Sequence, residues 1–252
     1  MLKKEIIGLM SGTSLDGLDI AHVEFIYENN KVRYKLMKTS TIAYPTDLLE
    51  HLHNVSSLGI DAIEILNKNI GVFFANQINI FISQNKISKI INNGIASHGQ
   101  TILHQPENGF TLQIGCGSTI AYLTGIKVIN DFRTLDVIAG GQGAPLVPIG
   151  DFDLFDSKAD SFLNIGGFCN ISFRKENVIQ AFDICPGNLP LNHFAGKLGH
   201  DYDHNGSLAQ KGKIDNDLLN TLNSIDFYNK KGAKSLGTEW LDKKFFTKFK
   251  KD

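Results

Sequence analysis

Ile6–Tyr27, IIGLMSGTSLDGLDIAHVEFIY, is the stretch whose reading decides the fold. Ile6 to Met10 is a short apolar run of the kind that forms a buried strand. Asp19 to Tyr27 alternates apolar and polar residues, as a half-buried strand does. Ser11–Gly17 lies between them, small and punctuated by Gly12 and Gly17. Strand, tight turn and strand predict a hairpin at the start of the chain. The turn itself, Gly12–Asp19, is rich in chemistry. Glycines let backbone approach a ligand closely, and successive N–H groups in such a turn form an anion-binding concavity. Thr13 and Ser14 add hydroxyls, while Asp16 and Asp19 add hard carboxylate oxygens of the kind that stand near a hydrated Mg²⁺. An ordinary Gly/Ser/Asp hairpin turn has the same composition, so both readings stand at this point.

The glycine spacing of Gly12 and Gly17 imitates a Walker A loop. Leu18 and Asp19 occupy the positions where Lys and Ser/Thr are required, so a P-loop NTPase is excluded. Further along, Ile63, Leu66, Ile70, Phe73, Phe74, Ile78 and Phe81 recur at helical spacing and predict a core-facing helix. Asp61, followed three residues later by Glu64, has the form of a capping box at its start. Short strands are expected at Gly94–Ser97, Phe110–Ile114 and Lys127–Asn130, with a helix over Ser118–Leu123. This alternation indicates an α/β architecture. Arg133–Pro148, with three glycines and two prolines, is expected to be largely non-helical and to carry an interdomain crossing. Beyond it, Ser161–Ile165 and Asn170–Arg174 form a second strand–glycine–strand unit around Gly166 and Gly167. A third strand, Val178–Phe182, leads into Asp183 and the turn Pro186–Asn188. The glycine hairpin thus occurs twice.

The bulk composition narrows the function. The chain has 252 residues, 42% hydrophobic and 20% charged, with 25 Lys and Arg against 26 Asp and Glu. That balance suits a folded core and gives no footprint for nucleic acid or an acidic membrane. Three scattered cysteines, Cys116, Cys169 and Cys185, read as thiols in a reducing compartment. The N-terminal apolar run is too short for a signal peptide, and no run approaches the ~20 residues that cross a bilayer. A soluble, cytoplasmic protein is expected.

Other polar clusters have open roles. In Ser97–His104, SHGQTILH, the side chains of His98, Gln100 and His104 leave a strand and are suited to hydrogen-bonding a sugar; His104 alone reads equally as a satisfied loop histidine. Arg133, near Asp131 and Asp136, suits a carboxylate or phosphate, or an Arg–Asp brace. Asp183 has the chemistry of a general base, although turn and capping roles are commoner for such a residue. Asp201–Gly206, DYDHNG, imitates half an EF-hand loop, but Gly212 stands where the closing Glu belongs; a capped helix start is expected instead.

These segments together resemble the anhydro-N-acetylmuramic acid kinase family. The matching stretches, in order, are IGLMSGTSLDGLDIA, SHGQTILHQP, FTLQIG, VINDFRTLDVIAGGQGAPLVP, LNIGGFCNIS and FDICPGN. They run from Ile7 to about Asn188. The resemblance implies an actin/hexokinase-like (ribonuclease H-like) α/β fold of two lobes, here 1–135 and 136–252, with ATP between them. It implies phosphate contacts from Gly12, Thr13, Ser14, Leu15, Asp16, Gly17, Leu18 and Asp19, and from Gly166 and Gly167 in the second lobe. It further implies substrate contacts at His98, Gln100 and Arg133, and Asp183 as catalytic base.

Mg²⁺ would accompany ATP, with Asp16 and Asp19 reaching it through water. The implied reaction opens the 1,6-anhydro ring of the sugar with water while O6 takes the γ-phosphate, giving N-acetylmuramic acid 6-phosphate in cell-wall sugar recycling. The implied partner is the anhydro amino sugar, without nucleic acid or membrane; a homodimer is compatible with the family. Cys185 and Asn192 stand where the family often has Gly and Asp. Relatives carry a further C-terminal segment, so the second lobe is expected to be incomplete. In that case Trp240, Leu241, Phe245, Phe246 and Phe249 of the end helix need other cover. The alternative is a non-catalytic sugar-binding fragment without a working adenine site.

Overall fold

The computed structural model describes residues 1–12, 15–29, 31–88, 92–155 and 159–249. The chain divides into two compact units, Met1–Gly143 and Ala144–Asp252, within the glycine- and proline-rich stretch.

The first unit is built on the opening hairpin. Strands β1 (Leu2–Ser11) and β2 (Leu18–Glu28) pair antiparallel, with Met10 opposite Asp19 and Ser11 opposite Leu18. A third strand, β3 (Lys31–Ile42), continues the meander antiparallel to β2. Its sequence, KVRYKLMKTSTI, gives no alternation because this edge strand is exposed over most of its length. The chain then forms α1 (Thr46–His53) and the long α2 (Ile60–Gln84) before returning as β4 (Asn92–Gln105), parallel to β1. An order of β3-β2-β1-β4, with only β2 reversed against its neighbours β1 and β3 and β4 parallel to β1, is that of a ribonuclease H-like sheet.

Strand β4 is longer than its apolar run suggests because it changes partner. Ile95–Ser97 pair parallel with β6 (Val128–Asn130), whereas Gln100–Gln105 pair antiparallel with β5 (Phe110–Ile114). The change occurs at Gly99, where φ is +75° and an added Cβ would lie 2.8 Å from the Ile114 carbonyl oxygen. Only glycine fits that backbone.

The core lies between this sheet and α2. Ile7, Leu9, Leu18, Ile20 and Ile95 from the strands join Leu66, Ile70, Phe73, Phe74, Ile78 and Phe81 from the helix in one buried cluster. The helical stripe is therefore core, as its spacing predicts. The capping box is not formed: Gly59 is the N-cap, no side chain caps the helix, and Asp61 is an acid of the first turn. There its charge still complements the helix dipole. Helix α3 (Gly117–Thr124) crosses α2 closely, because Gly71 has no side chain: a Cβ there would be 2.9 Å from the Cys116 carbonyl oxygen. Within the stretch expected to be non-helical, Thr134–Ile138 forms the five-residue helix α4. TLDVI contains no glycine or proline, and the breakers begin only at Gly140.

The second unit starts with α5 (Val147–Phe155) and repeats the antiparallel meander as β7 (Ser161–Ile165), β8 (Phe168–Lys175) and β9 (Val178–Pro186). Phe152 of α5 meets Phe162 edge to face at 5.3 Å, and Ser172 Oγ donates to Asp151 Oδ2 at 2.6 Å. Helix α6 (Asn188–Lys197) follows β9. Its N-terminus is satisfied by the β7–β8 turn: the N–H groups of Gly187 and Asn188 donate to the carbonyls of Gly167 and Gly166 at 2.9 and 2.8 Å. The terminal aromatic residues find cover. Ile225, Phe227, Leu236, Leu241 and Phe245 form a second buried cluster, with Trp240, Phe246 and Phe249 packed against it.

Candidate functional site

The glycine turn begins where β1 ends. Ser11 is 1% exposed, and its hydroxyl donates to Oε1 of Gln100, which is 2% exposed on β4. Since the single Ser11 proton is used there, the Tyr44 hydroxyl, 2.6 Å away, must donate to Ser11 Oγ. Burial first, and then the Asp16 charge, hold the Tyr44 phenol up to about 12, offset in part by the Ser11 hydrogen bond. It therefore remains a donor across the neutral range. Tyr44 also packs against Phe73 at 5.3 Å between ring centroids, which ties this polar chain to the core.

The described turn residues are held from both ends. The Leu15 N–H donates to the Gly12 carbonyl at 3.2 Å, Leu15 has φ +56°, and its side chain packs against the core. Gly17 has φ +153°, and a Cβ there would be 2.6 Å from the Ile42 carbonyl oxygen. Leu18 is fully buried. Asp16 and Asp19 are exposed, and Asp19 Oδ1 accepts from the Thr41 hydroxyl at 2.5 Å. Thr13 and Ser14 lie outside the described residues. Among the described residues no three His, Cys, Asp or Glu side chains group to hold a metal.

Close to Ser11, His98 and Arg133 form a second polar chain. Nδ1–H of His98 donates to the Gly99 carbonyl at 2.8 Å, which leaves Nε2 to accept from Arg133 Nε at 2.9 Å. Burial, then the Arg133 charge, push the His98 pKa down, and hydrogen bonds to the backbone of Gly99 and Ser11 only partly oppose this. A neutral imidazole is what the Arg133 contact requires. Arg133 Nη1 also donates to the Gly143 carbonyl at 2.5 Å, and Gly143 N–H donates to Asp136 Oδ2 at 2.6 Å. Gly143 is thus gripped at both ends of its backbone. The Arg–Asp brace takes this indirect form, and it fixes the guanidinium plane.

Among the sequence-predicted residues of this unit, Gln100 bonds to Ser11 at the start of the Gly12 turn, and His98 bonds to Arg133. Gln100 sits behind the turn as a brace. His104 is separate: its Nδ1 meets Thr111 Oγ1 at 3.0 Å across the β4–β5 hairpin. Ser11 and Tyr44 escape a reading of the sequence. Ser11 precedes the glycine turn and could have been found there; Tyr44 carries no local signal.

In the second unit Asp183 lies within β9, because that strand runs on through Pro186 instead of ending at Phe182. It is 7% exposed, opposite Asn170 on β8. Its Oδ2 accepts from the Leu236 N–H at 2.7 Å, and its own N–H donates to the Lys234 carbonyl at 2.9 Å. Gly166 and Gly167 form the β7–β8 turn described above. Asp203, of the EF-hand look-alike, receives the N–H groups of Leu208 at 2.7 Å and Ala209 at 2.9 Å. Those bonds, Leu208 first, hold its carboxyl below the usual range. The helix start expected here takes the form of two short 3₁₀ turns, with Asp203 at the N-cap of the first.

The sheet order defines the fold class, an α/β fold of the actin/hexokinase-like (ribonuclease H-like) type. Residues 4–251 match the family model described as anhydro-N-acetylmuramic acid kinase. The chain belongs to the anhydro-N-acetylmuramic acid kinase family, which makes it a phosphotransferase of the alcohol-acceptor type that serves cell-wall sugar recycling. It is 40% identical over 248 residues to the anhydro-N-acetylmuramic acid kinase of Pseudomonas fluorescens, covering 94% of this chain and 67% of that protein. The corresponding enzyme of Shewanella oneidensis is 41% identical over 257 residues, covering 96% and 69%. That of Pseudomonas syringae pv. tomato is 41% identical over 241 residues, covering 92% and 65%. The chain thus spans about two thirds of the length of these relatives. Among solved structures, the Aquifex aeolicus member of the Ppx/GppA family gives a TM-score of 0.37 at 10% identity, covering 76% of this chain and 54% of that one. The fold class therefore rests on strand order and family, not on that likeness. Among the described residues no helix is long and apolar enough to cross a membrane.

Proposed function

We propose that this chain binds MgATP and an anhydro amino sugar, opens the 1,6-anhydro ring with water, and phosphorylates O6 to give N-acetylmuramic acid 6-phosphate. The observation that carries the reading is the family match over residues 4–251. The Gly12–Asp19 turn holds the phosphoryl tail through its backbone N–H groups; Gly166 and Gly167 are the glycines of the corresponding turn in the second unit. Mg²⁺ neutralises charge on the phosphates, and Asp16 and Asp19 reach it through water.

Arg133 is suited to the sugar's lactyl carboxylate, since a planar fork pairs with two oxygens at once. His98 keeps that fork in plane, and Gln100 acts from behind by holding Ser11 and the start of the turn. Asp183 accepts a proton from the water that attacks the anomeric carbon. As the C1–O6 bond breaks, O6 takes the γ-phosphoryl group and ADP leaves. The site is assigned to the cytoplasm, where ATP is available.

The test is transfer of label from γ-labelled ATP to anhydro-N-acetylmuramic acid in the presence of Mg²⁺. Labelled sugar phosphate is the expected product. Sugar binding by calorimetry with no ATP binding and no labelled product would instead favour the sugar-binding fragment.

A further inference from the structure

Two of the three cysteines are cross-strand neighbours in the second unit. Cys169 on β8 and Cys185 on β9 are register partners, immediately beside the irregularity that separates them from the Asn170–Asp183 pair. Opposed residues in an antiparallel ladder have Cα atoms about 4.5–5.5 Å apart, within the about 4.4–6.8 Å that a disulfide spans. Cys169 is buried and Cys185 is half-buried. Burial first, and then the neighbouring Cys169, push the Cys185 thiol up to about 11. Tyr228 stands close enough for Cys185 to raise its phenol, after burial has done so.

The surroundings are tight on one side. A Cβ on Gly187 would lie 3.1 Å from Cys169 Sγ, so glycine at 187 is what leaves room for that sulfur. Cys185 lies between Asp183, two residues earlier on β9, and Gly187, just past the end of the strand, whose N–H donates to the Gly167 carbonyl. The chemistry proposed above uses neither thiol.

We propose that Cys169 and Cys185 form a modification site: a dithiol that low-molecular-weight disulfides oxidise to an intrachain cross-strand disulfide. In the first step one protein thiolate attacks a sulfur of the oxidant, forms a mixed disulfide and expels one small thiolate. The second protein thiolate then attacks the protein sulfur of that mixed disulfide, closes the Cys169–Cys185 bond and expels the second small thiolate. The two protons lost by the protein end on the two small thiols, so the oxidant is reduced by two electrons and the pair is oxidised by two. The high Cys185 pKa makes the exchange slow at neutral pH and faster as pH rises, because the thiolate is the attacking form. The new bond ties β8 to β9 beside Asp183 and beneath the Gly166–Gly167 turn.

The experiment uses the full chain with glutathione disulfide as the probe, followed by alkylation, trypsin and mass spectrometry. Cleavage at Arg174 and Lys175 separates the two cysteines onto peptides 159–174 and 176–197. The expected result is a cross-linked pair of these peptides, a loss of about 2 Da from the intact chain, and reversal by a small dithiol. Cys116→Ser should leave the product unchanged, whereas Cys169→Ser and Cys185→Ser should abolish it. Stable glutathione adducts on separate peptides from the folded, unsubstituted chain, with no cross-link, would overturn the proposal. So would a cross-link that appears only in denaturant.

Discussion

Ser11, Tyr44 and His98 are the residues on which the polar chains of the first unit turn. Tyr44→Phe removes the donor to Ser11 Oγ and should cost about 1 kcal/mol of stability, the net worth of a typical hydrogen bond. Denaturant unfolding measures this, and an unchanged midpoint would show that Ser11 is held by Gln100 alone. His98 gives a pH dependence. Its folded pKa lies below the ordinary value of about 6.5, so the unfolded chain takes up a proton first as pH falls. Stability contributed by the neutral imidazole is present above about pH 6.5 and is lost as pH falls through the lowered folded value. The thermal midpoint should therefore drop on acidification in this range, and His98→Gln should flatten that part of the curve. At this scale the sequence exposes chemistry but not attachment. Gln100, His98 and Arg133 stand out as polar residues near strand ends. That Gln100 faces inward to Ser11, and that Arg133 chooses His98 and a backbone carbonyl over an aspartate, depends on partners 10 to 89 positions away in sequence.

Elements are most legible where one face is buried and least where none is. The hairpin β1–β2 and the stripe of α2 write their burial into residue period, so both follow from the sequence. Strand β3 is missed because exposure on both faces removes the alternation. Strand β4 exceeds its expected length because a positive-φ glycine lets it change partner, and β9 runs past Asp183 because the pairing with β8 continues to Pro186. Close packing between elements yields two predictions. Gly71→Ala sets a methyl against the backbone at Cys116 and should destabilise the α2–α3 crossing by about 1–3 kcal/mol, the usual cost of overpacking. Gly17→Ala meets the Ile42 carbonyl at an unfavourable φ, and should weaken both folding and ATP binding. Calorimetric titration of ATP checks the second effect; wild-type affinity in the folded variant would detach the turn from nucleotide binding.

In the whole molecule the two units differ in how much core each holds. The first has a continuous cluster from Ile7 to Ile126 with α2 at its centre, whereas the buried aromatic cluster of the second is built from Ile225, Phe227, Leu236, Leu241 and Phe245. Amides of β1 and α2 should exchange with solvent far more slowly than those of β7 and β9, because local opening is governed by buried apolar contact. Hydrogen exchange with mass spectrometry reads this directly, and equal protection in both units would contradict it. Asp183 resides in the second unit, where it also braces the backbone at Leu236, so a structural and a chemical role must be separated. Asp183→Asn does so, since the amide oxygen can still accept the Leu236 N–H but the side chain no longer takes a proton. Phosphoryl transfer to the anhydro sugar should fall about 10²–10⁴-fold, with the thermal midpoint close to that of the unsubstituted chain. Transfer at the original rate, or a loss of activity matched by loss of folding, would contradict the assignment of Asp183 as the base.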